Sequence, residues 1–74
     1  MLLSELENGE SCLIKEVRLV DNLKKRLFEL GVMEKSTLKI IRKSYRNSPI
    51  IFMVKQTFLA IRRCDAENIV VEKL

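Results

Sequence analysis

Histidine is absent from this chain of 74 residues. With it go the imidazole general base, the Ser-His and Cys-His nucleophile pairs and every His-containing zinc finger. Cysteine is down to Cys12 and Cys64, far too distant for a C-x-x-C, which excludes a zinc ribbon and a thioredoxin-type redox motif. Glycine occurs only at positions 9 and 31, so neither a P-loop nor a dinucleotide-binding fingerprint is available. Tryptophan is missing and Tyr45 is the lone tyrosine, which argues against an aromatic groove for proline-rich peptides. The longest apolar run, Ile50 to Val54, is far short of the roughly 20 residues that cross a bilayer. The opening Met1-Leu2-Leu3-Ser4-Glu5 lacks the basic and apolar regions of a signal peptide. These absences point to a cytosolic chain that is not an enzyme, does not insert into membranes, keeps two free thiols and needs no cofactor.

What is present is a globular composition: 47% hydrophobic and 32% charged residues, with 14 Lys and Arg against 10 Asp and Glu for a net charge of +4. A chain this short buries only about 60% of its unfolded surface, so a thin core is expected. No repeat, charge block or low-complexity stretch divides it, which predicts one domain over 1–74. Ser4-Glu5-Leu6-Glu7 has capping-box spacing but meets Asn8-Gly9 at once, predicting a single helical turn with Leu3 and Leu6 closing the core. From Ser11 to Leu19 the pattern is strand-like with a change of phase: Cys12 and Ile14 share one face, Val17 and Leu19 the opposite parity. A β-bulge near Lys15-Glu16 reconciles the two.

Asp21-Asn22 offers an N-cap for a helix through Leu30, with Leu23, Leu27 and Leu30 as a core stripe and Phe28 beside them. Gly31 suits the left-handed residue that ends a helix, with Val32 then folding back on Leu27. Lys24, Lys25 and Arg26 fall in the first half of that helix, against its macrodipole. Beyond it, four strands are expected. Thr37 to Lys43 places Leu38 and Ile40 on one face, and 44–49 form a turn. Ile50 to Val54 is apolar on both faces, and a tight connection at Lys55-Gln56-Thr57 leads to Phe58 to Ile61. After a 3₁₀ turn at 62–67, Ile69 to Glu72 closes the sheet. Mainly β, five short strands with one short α-helix inserted after the first suggest a small barrel, because closure removes exposed strand edges.

Two segments carry a resemblance to a known family. Leu23-Lys24-Lys25-Arg26-Leu27-Phe28-Glu29-Leu30-Gly31-Val32 is similar to a basic helix ending in Leu-Gly-hydrophobic. Pro49-Ile50 through Val54, then Leu59-Ala60-Ile61-Arg62-Arg63-Cys64-Asp65-Ala66-Glu67-Asn68-Ile69, resembles a strand pair followed by apolar-Ala-apolar-Arg, a charged turn and a closing strand. With the opening Leu3-x-x-Leu6-x-x-Gly9, these run in the order of the ferrous iron transport protein A family, FeoA. The resemblance implies an SH3-like barrel acting as a non-enzymatic accessory of ferrous iron uptake. Its implied partner is the large membrane transporter FeoB, with its GTP-binding domain. The family usually has Pro-Gly where this chain has Glu34-Lys35, and Gly in the later hairpin where it has Gln56. A charged or polar residue often follows that hairpin, where this chain has Phe58. Without glycine at Lys35, a type I turn with negative φ is expected there.

The candidate site is a docking face. Lys24, Lys25 and Arg26 on the helix and Arg62 and Arg63 in the late turn would attract an acidic partner, with Arg42, Lys43 and Arg46 near the first hairpin. Arg26 and Arg62 have the alternative of structural pairing with nearby carboxylates. Phe58 and Ala60 should face outward while Leu59 and Ile61 face in, making Phe58 beside Tyr45 an anchor for a partner. Weak homo-oligomerisation is compatible with such a face. Cys12 and Cys64 with Asp65 or Glu67 have no metal-ligand spacing, so no metal is assigned, and a role in iron transport does not require the accessory to hold iron. Two rivals stay open: a nucleic-acid-binding barrel, disfavoured because Phe28 and Phe52 look like core and leave few stacking aromatics, and a freestanding regulatory SH3-like domain related to iron-dependent repressors.

Overall fold

A computed structural model describes residues 1–43 and 48–74 of the chain. In chain order they form a 3₁₀ turn at Leu3–Glu5, strand β1 at Ser11–Val17, helix α1 at Asp21–Glu29, β2 at Thr37–Lys43, β3 at Ile50–Val54 and β4 at Thr57–Ile61. Helix α2 at Arg63–Ala66 and strand β5 at Ile69–Lys73 follow. The strands make one antiparallel sheet in the order β4-β3-β2-β1-β5.

The phase change in β1 is a bulge. Ile14 pairs with Val71 but Glu16 pairs with Val70, so Lys15 is the extra residue. Cys12 and Ile14 are buried before it and Val17 after it, as a one-residue insertion requires. β2 carries a second bulge that hydrophobic patterning did not announce: Ile40 pairs with Phe52 and Arg42 with Ile51, leaving Ile41 unpaired and exposed. The parity shift turns Lys43 to the face of its partner Ile50. There its ammonium donates to the carbonyls of Ser4 and, at 3.0 Å, Leu6. Lys43 is therefore a structural strap for the N-terminal turn rather than part of a docking face.

Phe52 is fully buried, as are Ile14, Ile40, Ile50, Ile69, Leu3 and Leu6. The ladder does not close. β5 is covered on its outer side, where Val71 N–H donates to the Met1 carbonyl at 2.8 Å and Leu2 bridges Val70. β4 is the opposite end of the sheet, and α2 joins the two edges in place of a β4–β5 pairing.

Several local expectations are corrected. The N-terminal turn starts at Leu3, and Glu5 Oε1 accepts from the Leu2 N–H at 2.6 Å; Ser4 is inside the turn and caps nothing. Val20, not Asp21 or Asn22, occupies the N-cap position of α1 and makes no side-chain cap. Asp21 lies in the first turn and Arg26 in the last, so both complement the macrodipole rather than oppose it. Of the α1 stripe only Leu27 is buried, Leu23 is half-buried, and Leu30 and Phe28 are exposed. A nine-residue helix over the rim of so small a sheet has room to seat one turn. The late turn is a short α-helix rather than 3₁₀, with Ala66 N–H donating to the Arg62 carbonyl at 3.0 Å.

Gly31 ends α1 at φ +100°. Val32 N–H donates to the Leu27 carbonyl at 2.8 Å and Gly31 N–H to that of Phe28 at 3.0 Å, the paired bonds of a Schellman ending with Val32 packed on Leu27. A β-carbon at Gly31 would stand 3.3 Å from the Lys55 side chain. Lys35 has φ 72°, which overturns the expected negative value. Its N–H donates to the Ile14 carbonyl and Ile14 N–H donates to that of Ser36, both at 2.8 Å. The bulged strand thus holds the turn in the form that Pro-Gly would adopt unaided. Replacing Gly31 with Val should lower unfolding free energy by more than about 1 kcal/mol in urea titration, since β-branched residues resist positive φ. An unchanged midpoint would contradict the assignment. Changing Lys35 to Gly should raise stability by up to about 1 kcal/mol by relieving the left-handed strain; a lowered midpoint would show that no strain is held there.

Candidate docking site

Helix α1 presents its charges because its neighbours are few. Lys24, Lys25 and Arg26 are all exposed, and no carboxylate among the described residues lies within ion-pair distance of any of them. Lys24 is near enough to Glu16 to help hold its carboxyl below the usual range, an effect led by the hydrogen bond from Arg18. Arg62 is exposed too, but its Nε donates to Asp65 Oδ2 at 2.9 Å and Nη2 to Oδ1 at 3.4 Å. That hydrogen bond, then the charge of Asp65, raises the guanidinium pKa. Arg62 is therefore oriented by α2, as its structural alternative anticipated, whereas Arg26 has no such partner among the described residues. Arg63 is half-buried. Tyr45 and Arg46, and with them the expected pairing of Phe58 with Tyr45, lie outside the described residues.

Two clefts flank α1. One, of about 270 Å³, is lined by Val17, Lys24, Phe28, Val32, Met33 and Glu34. The other, of about 400 Å³, lies between α1 and β4, with Leu23, Arg26, Leu30, Leu59, Ala60 and Arg62 among its walls. Arg26 and Arg62 thus belong to one cleft and Lys24 to the other. Phe58, 65% exposed, stands on β4, and Phe28, 57% exposed, on the opposite flank of the helix. Leu59 packs partly on the core and Ile61 is buried, while Ala60 faces out. Helical spacing sets Phe28 beside the core stripe, but it stands one residue past Leu27, about 100° around the helix, and the packing leaves it exposed.

No group of three or more His, Cys, Asp and Glu side chains converges among the described residues. Cys12 is fully buried in β1 and Cys64 exposed on α2. Burial pushes the Cys12 thiol up to about 11, partly offset by a hydrogen bond from the Leu38 backbone. No helix is long and apolar enough to cross a membrane among the described residues.

Comparison with known proteins places this geometry in context. The model of the FeoA domain family matches residues 1–73. The solution structure of the FeoA protein from Chlorobium tepidum superimposes with a TM-score of 0.93 at 32% identity, over 100% of this chain and 70% of that one. A crystal structure described as the iron uptake regulatory protein FeoA gives 0.88 at 26% identity, over 100% and 97%. Stenotrophomonas maltophilia FeoA gives 0.84 at 29% identity, over 97% and 89%. It is described as a zinc-complexed SH3 domain protein possibly acting as a ferrous iron transport activating factor. No protein of curated function matches the sequence.

The two thiols should separate cleanly in a labelling experiment. Iodoacetamide at pH 8 should modify Cys64 within minutes and leave Cys12 intact until the chain unfolds, read by mass spectrometry of the peptides. Equal labelling of both in the native protein would contradict the burial of Cys12.

Proposed function

Because the chain belongs to the FeoA domain family, we propose that it is a non-enzymatic accessory of ferrous iron uptake. In this reading it docks on the cytosolic part of a FeoB-type GTP-dependent membrane transporter. The observation that carries the docking reading is α1 itself. Three adjacent exposed cations stand without ion-pair partners among the described residues, and Phe28 and Leu30 on the same short helix are left in solvent. Unpaired charge beside exposed apolar side chains does little for stability but suits recognition: charge steers the encounter and apolar anchors slow dissociation. The regulatory and activating roles named for its relatives agree with a module that acts by contact. A stacking groove for nucleic acid is not favoured, because Phe28 and Phe58 lie on opposite flanks of α1 rather than along one basic channel.

The test is calorimetric titration of the purified cytosolic domain of the transporter with wild-type protein and with Lys24→Glu/Lys25→Glu/Arg26→Glu, at two salt concentrations. Folding should survive, since exposed charges contribute little to stability. Affinity should fall by about tenfold or more, and its salt dependence should largely vanish. Equal binding by both proteins would remove the basic helix from the interface. Absence of binding by wild type would remove the transporter as partner.

A further inference from the structure

Strand β4 differs from the other end of the sheet in being left open. β3 and β4 are joined by a two-residue hairpin at Lys55 and Gln56, with Val54 opposite Thr57 and the register continuing Met53↔Phe58, Phe52↔Leu59, Ile51↔Ala60 and Ile50↔Ile61. In such a hairpin the pair flanking the turn exchanges hydrogen bonds and every second pair thereafter does so. Thr57, Leu59 and Ile61 therefore bond to β3, whereas the N–H and C=O of Phe58 and Ala60 point away from it. None of those four groups bonds to another segment among the described residues. Natural edge strands are usually blunted by an inward charge, a proline or a bulge. Thr57-Phe58-Leu59-Ala60-Ile61 has none of these and pairs with β3 in unbroken register.

The cleft of about 400 Å³ lies along this edge, since consecutive residues Leu59, Ala60 and Ile61, from both faces of β4, contribute to its walls. Its other wall is α1, running antiparallel to β4. Leu23 shares the cleft with Arg62, and Gly31 meets the Lys55 side chain at the far end. The cleft mixes apolar and polar walls: leucines of α1 face Leu59 and Ala60, Arg26 stands on the helix wall, and Arg62, held by Asp65, closes one end, with Lys55 beyond the other end beside Gly31.

We propose that the β4 edge accepts an extended segment of a partner protein as a sixth strand, seated between β4 and α1. Its side chains would alternate between the two faces of the sheet beside β4, with acidic residues flanking the apolar ones. Main-chain bonds to Phe58 and Ala60 supply affinity and the cleft selects side chains, the mode by which sheet edges capture peptides. Arg26 on the helix wall and Lys55 beyond the open end fit acidic residues in such a segment, Arg62 being already paired with Asp65. The proposal rests on the reading of the chain as a docking module and names the element that it docks.

The experiment is amide hydrogen exchange, read residue by residue by NMR, with two probes: the transporter's cytosolic domain, and a synthetic peptide of alternating valine and threonine flanked by aspartates. Bound probe should slow exchange at Phe58 and Ala60 by about tenfold or more. The Ala60→Pro variant, which removes an outward N–H and leaves the β3 bonds in place, should bind each probe about tenfold more weakly. Should that variant fail to fold, the wild-type exchange measurement decides alone. Binding of the transporter domain with unchanged exchange at Phe58 and Ala60 would overturn strand addition and leave docking through the basic helix standing. Protection by the peptide without any binding of the transporter domain would support strand addition and overturn the choice of transporter. Protection by neither probe would overturn the proposal.

Discussion

The fold turns on a single extra residue. β1 is the strand on which both β2 and β5 form their ladders, and it must face the core along its whole length although its ends point to opposite parities. Lys15 absorbs the difference. A bulge adds local twist and bends its strand, so β1 passes from pairing β2 through Ser11, Cys12 and Leu13 to pairing β5 as far as Val17. The same irregularity fixes its surroundings. Ile14, just before the bulge, accepts from the Lys35 N–H at its carbonyl and donates its own N–H to the Ser36 carbonyl, so the chain leaving α1 is held to the bend. Without the bulge, Val17 would face solvent or Ile14 would, and a core this thin tolerates neither.

Curling so short a sheet has a consequence at its rim. The inside accommodates Phe52 and its aliphatic neighbours but not a full helical face, so α1 seats Leu27 and leaves Leu30 and Phe28 outside. The two ends of the sheet fare differently for a reason of chain order. The N-terminal residues lie beside β5 and cover it, whereas the outer side of β4 faces α1 across a cleft. Exposed cations, exposed apolar residues and an open strand edge therefore collect on one side, around α1 and β4.

Turn geometry shows tertiary structure overriding local preference. Lys35, Lys55 and Gln56 all have positive φ without being glycine, each at some cost in backbone strain. At Lys35 the hydrogen bonds to Ile14 outweigh that cost, and at Lys55 and Gln56 the unbroken β3–β4 register does. Gly9 and Gly31 have the residue that such a conformation prefers, and at Gly31 Lys55 also crowds the position of a β-carbon.

Short-range pattern in the sequence was enough for the five strands, the position of the helix, its Gly31 ending and the bulge at Lys15, because each is written in parity or residue type over a few neighbours. The ordered motifs also sufficed for the family. The second bulge at Ile41, the inward turn of Lys43 and the φ of Lys35 were not legible, since each depends on a partner that lies far along the chain. The same holds for the candidate site. That Lys24, Lys25 and Arg26 are charged is local information; that Arg62 is held by Asp65, that Arg63 is half-buried and that Phe28 is exposed is decided by packing. Which edge of the sheet stays open is decided only when the N-terminal segment takes one edge and leaves the other, a competition for hydrogen bonds that no local pattern records.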